Sequence, residues 1–128
     1  MNAKPDTAAA LKGRCVLIVE DELLLAMELQ KTLEDEGCIV LGPLKNVEQA
    51  LAVLEQKLPD AAILDLNLDG DRSTPVAAAL RTEGIPFIVT TGYAEKVAAD
   101  AVFQDMPWVN KPIHRKELVR LLERILKS

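Results

Sequence analysis

The chain is poor in the residues that build metal sites, disulfides and catalytic dyads, with two cysteines, one histidine and one tryptophan in 128 residues. Cys15 and Cys38 have no metal-ligand spacing. Without an export signal they are expected to be small buried hydrophobes. His114 has neither a ligand nor a nucleophile beside it and reads as a solvent-facing or capping residue. Long apolar runs are missing too. The longest, such as Leu23–Met27, fall far short of the ~20 residues that span a bilayer. The opening MNAKPDTAAALKGR has no signal-peptide core, so residues 1–13 are expected to be a flexible lead-in and the compartment the cytoplasm. Positive charge is in deficit. A net charge of −5 argues against a direct nucleic-acid partner, and no membrane partner is expected. The cations present are unevenly placed, six of the fifteen lying in the last eighteen positions.

What is present is ordinary for one globular domain, 49% hydrophobic and 27% charged. Short apolar runs alternate with helix-like segments. Cys15–Val19 is a continuous apolar run, as in a strand buried on both faces. From Leu23 to Glu36, Leu25, Leu29 and Leu33 recur every four residues, and Gly37 stops the helix. Cys38–Leu41 is a second strand. Asn46 caps a helix carrying Val47, Leu51 and Leu54 that ends before Pro59. Ala61–Leu64 is a third strand, followed by a polar loop and a helix over Pro75–Arg81 that Gly84 ends. Phe87–Thr90 is a fourth strand, Glu95–Phe103 a weak helix and Trp108–Val109 a very short fifth strand. Leu118, Leu121, Leu122 and Ile125 make the apolar stripe of a closing helix. Five strands alternating with five helices predict a doubly wound α/β domain with a parallel sheet. In such sheets chemistry gathers beyond the C-terminal ends of the strands.

Those ends carry Glu20-Asp21-Glu22, Asp65, Thr90-Thr91-Gly92 and Asn110-Lys111-Pro112. Crowded carboxylates call for a cation, and a hard divalent ion such as Mg²⁺ leaves positions open for phosphate oxygen. A lysine ammonium and a threonine hydroxyl add partners for further phosphoryl oxygens. With Asp65 as nucleophile, the set suits phosphoryl transfer. The competing pattern is Asp65, Asn67, Asp69 and Gly70, which spell the opening of a calcium-binding EF-hand loop. It fails because the twelfth position, where a bidentate acid is needed, is Val76.

EDE after the first strand, ILDLN at the third, Thr-Gly after the fourth and Lys-Pro after the fifth resemble the receiver domain of bacterial two-component response regulators, the chemotaxis-regulator-like type, over about residues 14–127. The resemblance implies a flavodoxin-like fold with strand order 2-1-3-4-5 and a receiver domain over 14–128. It implies that Asp65 is the phosphoacceptor, Asp21 a direct Mg²⁺ ligand (Mn²⁺ being a candidate substitute) and Glu20 its neighbour acting through water. Asn67 would offer its backbone carbonyl to the metal. Lys111 resembles the family's lysine, Thr91 the switch hydroxyl, and Trp108 stands at the switch aromatic. The implied partners are a sensor histidine kinase or histidine phosphotransfer protein and a downstream protein target, with a homodimer left open. Met1 and the finished last helix suggest a stand-alone receiver.

The resemblance is imperfect. NLDGDRSTP lacks the Met-Pro-Gly turn of many receivers, FIVTTGY matches the FAT-GUY group only in part, and Trp108 replaces the commoner Tyr or Phe. Some residues carry plainer readings. Glu22, Asp69 and Asp71 are expected as solvated loop acids, and Trp108 serves equally as core packing. Lys116, Arg120, Arg124 and Lys127 share one helix face, either simply solvated or a stripe for a partner. Two other functions compete with the switch. A phosphatase using an aspartyl nucleophile would want an acid where Asn67 stands and a cap insertion, and has neither. A scaffold that is never phosphorylated would be expected to lack Asp65, Asp21 or Lys111.

Overall fold

Residues 10–92 and 101–127 are described by the structure, a computed structural model. Its strands are β1 (Cys15–Val19), β2 (Ile39–Leu44), β3 (Ala61–Asp65), β4 (Asn67–Leu68), β5 (Asp71–Arg72), β6 (Phe87–Thr91) and β7 (Trp108–Asn110). Its α-helices are α1 (Leu23–Asp35), α2 (Val47–Gln56), α3 (Thr74–Thr82) and α4 (Arg115–Leu126). The main sheet is five-stranded, ordered β2-β1-β3-β6-β7, and its four strand pairings are all parallel. Leaving aside the small β4–β5 hairpin, this is the expected order 2-1-3-4-5.

Both faces of the sheet are covered, and strand periodicity sorts the side chains between them. Leu17, Val19, Ala62, Leu64, Phe87 and Val89 face one way, against Ala50 of α2 and Val76, Ala77 and Leu80 of α3. Val16, Ile18, Ala61, Ile63, Ile88 and Val109 face the other, against Leu29 and Leu33 of α1 and Leu118, Leu122 and Leu126 of α4. Cys15 and Cys38 are both buried and free, as expected, and burial is the leading reason that both thiols titrate above their usual range.

Helix ends follow the residues that the sequence puts there. Asn46 caps α2 by accepting from the Gln49 N–H at 2.8 Å. Gly37 and Gly84, at φ +87° and +71°, end α1 and α3 in the same way. The Cys38 N–H returns to the Leu33 carbonyl at 3.0 Å and the Ile85 N–H to that of Leu80 at 2.9 Å. Both are Schellman caps, which need a left-handed residue after the helix.

Four expectations change. The second strand runs beyond Leu41 to Leu44, through Gly42-Pro43. It lies at the sheet edge, where a proline removes no ladder bond, and the register shift opposite Leu17 to Val19 absorbs the irregularity. The polar loop after Asp65 is a hairpin, β4 against β5, turned by Asp69 and Gly70, both at positive φ. Of the helix expected over Glu95–Phe103, residues 95–100 lie outside the described residues and Ala101–Phe103 forms a 3-10 turn. Four α-helices lie wholly within the described residues. Finally, residues 1–9 of the expected lead-in lie outside the described residues, but Leu11 is fully buried against the α1 and α4 side of the sheet. An apolar side chain at a core edge is held there by the same force as any strand residue, so the packed part begins no later than Leu11.

Candidate functional site

The parallel register carries the polar strand ends to one edge. Val19 pairs with Leu64, Asp65 with Thr90 and Thr91 with Asn110, so the residues that follow β1 and β7 flank Asp65. Glu20 continues straight out of β1, its N–H donating to the Leu44 carbonyl at 2.8 Å. Asp65, the last residue of β3, is 4% exposed and Glu20 2%. Lys111 follows β7, its N–H donating to the Thr91 carbonyl at 2.8 Å. Its ammonium turns inward, 3.1 Å from Asp65 Oδ2 and 3.4 Å from Glu20 Oε2.

These charges are unequal in their setting. Burial, then the neighbouring charge of Asp65, pushes the Glu20 carboxyl up to about 7, against the pull of the Glu22 N–H and Lys111. Burial also raises Asp65, with Lys111 opposing it. Burial disfavours the Lys111 ammonium, but Asp65 and Glu20 outweigh that and hold it above its ordinary value. The lysine is thus a fixed positive charge between two carboxylates that compete for protons.

Asp21 is exposed, and its Oδ2 accepts from the Asp69 N–H at 2.9 Å. The hairpin therefore orients the acid, a role for the Asp69 backbone that reading the loop as solvated overlooked. The Asp-Gly turn pair in the sequence was the available signal. Glu22, also expected as a bystander, comes within 3.8 Å of the Lys111 ammonium while staying largely exposed. Ser73 was missed altogether. It is fully buried, and its Oγ and N–H both donate to the Leu66 carbonyl, at 3.0 and 2.8 Å, anchoring the chain just after Asp65.

One carboxylate oxygen from each of Glu20, Asp21 and Asp65 lies within 4.8 Å of the others. Glu20 Oε1 is buried, 3.4 Å from the Lys111 ammonium but without a hydrogen bond among the described residues. A buried, unbonded oxygen in an all-oxygen donor set fits a hard divalent cation. Asn67 opens β4 beside these groups, its N–H 3.4 Å from Asp65 Oδ1.

The remaining residues lie on β6, on β7 and in and beside α4. Thr91 ends β6 and is buried. Trp108 opens β7, half-buried, and meets Phe103 edge to face with ring centroids 6.3 Å apart. Lys116, Arg120, Arg124 and Lys127 are all exposed along or just beyond α4. His114 is exposed at the N-cap of α4 and makes no side-chain capping bond, so of its two expected roles it has the solvent-facing one.

A doubly wound sheet with this convergence of strand ends defines the class of receiver-type domains. The chain belongs to the response regulator receiver domain family, whose model matches residues 16–123. It is 41% identical to SdrG from Sphingomonas melonis Fr1, whose solution structure superposes with a TM-score of 0.77 over 93% of this chain and 98% of that one. It is 26% identical over 126 residues to the transcriptional regulatory protein PdtaR of Mycobacterium tuberculosis, covering 96% of this chain and 62% of PdtaR. The receiver domain of a sensor histidine kinase from Pseudomonas aeruginosa, which has a magnesium ion coordinated in its active-site cleft, shares the fold with a TM-score of 0.79 at 24% identity, over 91% and 99% of the two chains. The chain spans about half of the curated relative PhoB of Pseudomonas aeruginosa, 52% of its length.

Proposed function

We propose that the protein is a cytoplasmic signalling switch of a two-component phosphorelay, phosphorylated on Asp65. The observation that carries this is the Lys111 ammonium 3.1 Å from a buried Asp65 carboxylate, with Glu20 and Asp21 beside it. An Asp65 oxygen attacks the phosphorus of a phosphohistidine on a sensor histidine kinase or phosphotransfer protein. The new P–O bond forms as the P–N bond breaks, and the bonding pair leaves on the imidazole nitrogen, which takes up a proton from water. Lys111 neutralises charge on one phosphoryl oxygen, and the Thr91 hydroxyl donates to another. Asp21 and Asp65, the Asn67 backbone carbonyl and, through water, Glu20 would hold Mg²⁺, or Mn²⁺ in its place. Bound there, the ion would supply charge neutralisation. The magnesium of the Pseudomonas receiver domain supports this reading.

Once phosphorylated, Asp65 draws on Thr91 and shifts Trp108 between two packings, and output passes through protein contacts. The cationic face of Lys116, Arg120, Arg124 and Lys127 would be part of that surface for a downstream target or a second copy. The protein acts here as a signalling protein rather than an enzyme with a turnover substrate. The test is incubation with acetyl phosphate and Mg²⁺, read by intact mass. One phosphoryl adduct that is absent in Asp65→Asn and in chelator supports the reading. No adduct and no Mg²⁺ binding would leave the scaffold.

A further inference from the structure

Arg81, in the last turn of α3, reaches across to the turn ahead of β7. Its Nε donates to the Val102 carbonyl at 2.8 Å, and its Nη2 donates to the Gln104 carbonyl. The turn itself is closed by the Gln104 N–H on the Ala101 carbonyl at 3.1 Å. It buries Phe103, 1% exposed, among the α3-side core residues, and Phe103 is the ring that meets Trp108 edge to face.

Little slack separates this clamp from the tryptophan. Only Asp105, Met106 and Pro107 intervene. Asp105 is held at φ 70°, and the Pro107 carbonyl accepts from the Val89 N–H at 3.0 Å, which ties the segment to β6. A planar guanidinium can donate to two carbonyls at fixed separation, whereas a lysine ammonium has no such fork. A merely solvated arginine would make neither bond.

We propose that Arg81 is a positioning residue for Trp108, holding the Ala101–Gln104 turn against α3 and so setting the seat from which the tryptophan responds to phosphorylation. The ground-state part stands on this geometry, and the response to phosphorylation rests on the function proposed above. Arg81 touches none of the acceptor residues, so the chemistry at Asp65 is left intact when it is removed.

The experiment compares the full chain with Arg81→Ala and Arg81→Lys, read by Trp108 emission, acrylamide quenching and intact mass. Without phosphodonor, Arg81→Ala is expected to raise the quenching constant roughly twofold and shift emission to the red, because the turn's opening equilibrium loses a pair of charge-assisted bonds. Arg81→Lys should follow the alanine variant rather than the wild type. With acetyl phosphate and Mg²⁺ all three should gain the same phosphoryl mass, while the phosphorylation-dependent emission change shrinks in both variants. Unchanged quenching and response in Arg81→Ala overturn the proposal, as does loss of the adduct in that variant alone. An adduct missing from the wild type counts against the proposed function, and the unphosphorylated quenching comparison then decides the clamp by itself. Should Arg81→Ala fail to fold, Arg81→Gln replaces it, with quenching expected to match that of the lysine variant, and quenching equal to wild type overturns the proposal.

Discussion

At Glu20 two effects that usually appear apart act on one carboxylate, since burial and the charge of Asp65 both push it towards the protonated form, to about 7. The folded form thus binds a proton more readily than the unfolded chain, where the carboxyl titrates near 4.5. Its contribution to stability is fully present below the unfolded value and is lost as pH rises through about 7. Thermal melts in chelator should therefore lose stability over that window, and Glu20→Gln should flatten the loss. Asp65→Asn, which removes the second cause, should bring the window down in pH. A fall that is the same in all three proteins would assign it to other groups. Thr90 offers a second test of burial. Its hydroxyl has no hydrogen-bond partner among the described residues, and its side chain is fully buried. Thr90→Val keeps the shape and removes the orphaned group, so it should stabilise the protein by about 1 kcal/mol in urea titration, where a hydroxyl with a hidden partner would give a loss.

At the scale of elements, α1 and α3 are each closed by a glycine at positive φ. Gly84 has open space where a Cβ would stand, whereas at Gly37 a Cβ would meet Lys12 Cγ at 3.2 Å. Gly84→Ala therefore isolates the left-handed cost, about 1–2 kcal/mol. Gly37→Ala should cost at least as much, since the Lys12 stem must also move. Urea midpoints of the two variants check the order, and a smaller loss at Gly37 would mean that the α1 cap relaxes. Both glycines were legible in the sequence because each follows an apolar helical repeat. The β4–β5 hairpin was legible only as Asp-Gly, since two-residue strands carry no periodicity of their own.

For the molecule as a whole, the sheet belongs to both cores. Its strands bury alternate residues on each side, so neither face can lose its packing while the other keeps a sheet. Unfolding followed by Trp108 emission, which reports the α2 and α3 side, should coincide with unfolding followed by far-ultraviolet circular dichroism. Separate transitions would show that the faces melt independently. Leu11 tests where this unit begins. Leu11→Ala should cost about 2–5 kcal/mol, the range of a large core truncation, and a loss near zero would return it to the lead-in.

The sequence by itself determined the order of the five main strands and the four described α-helices, the two-sided burial of the sheet and the residues at its C-terminal edge. Each of these is written in a short-range pattern: apolar runs, four-residue repeats, glycine stops and acids just after strands. Asp65, Asp21, Glu20 and Lys111 could be chosen because a parallel sheet must bring its strand ends together. Only the tertiary structure decided how those groups act on one another, because distances between residues far apart in the chain leave no local trace. The Lys111 ammonium between Glu20 and Asp65, the Asp69 N–H on Asp21 and the grip of Arg81 on the turn before Trp108 all join separate elements. Such contacts are set by packing, which fixes side-chain positions once the core has closed.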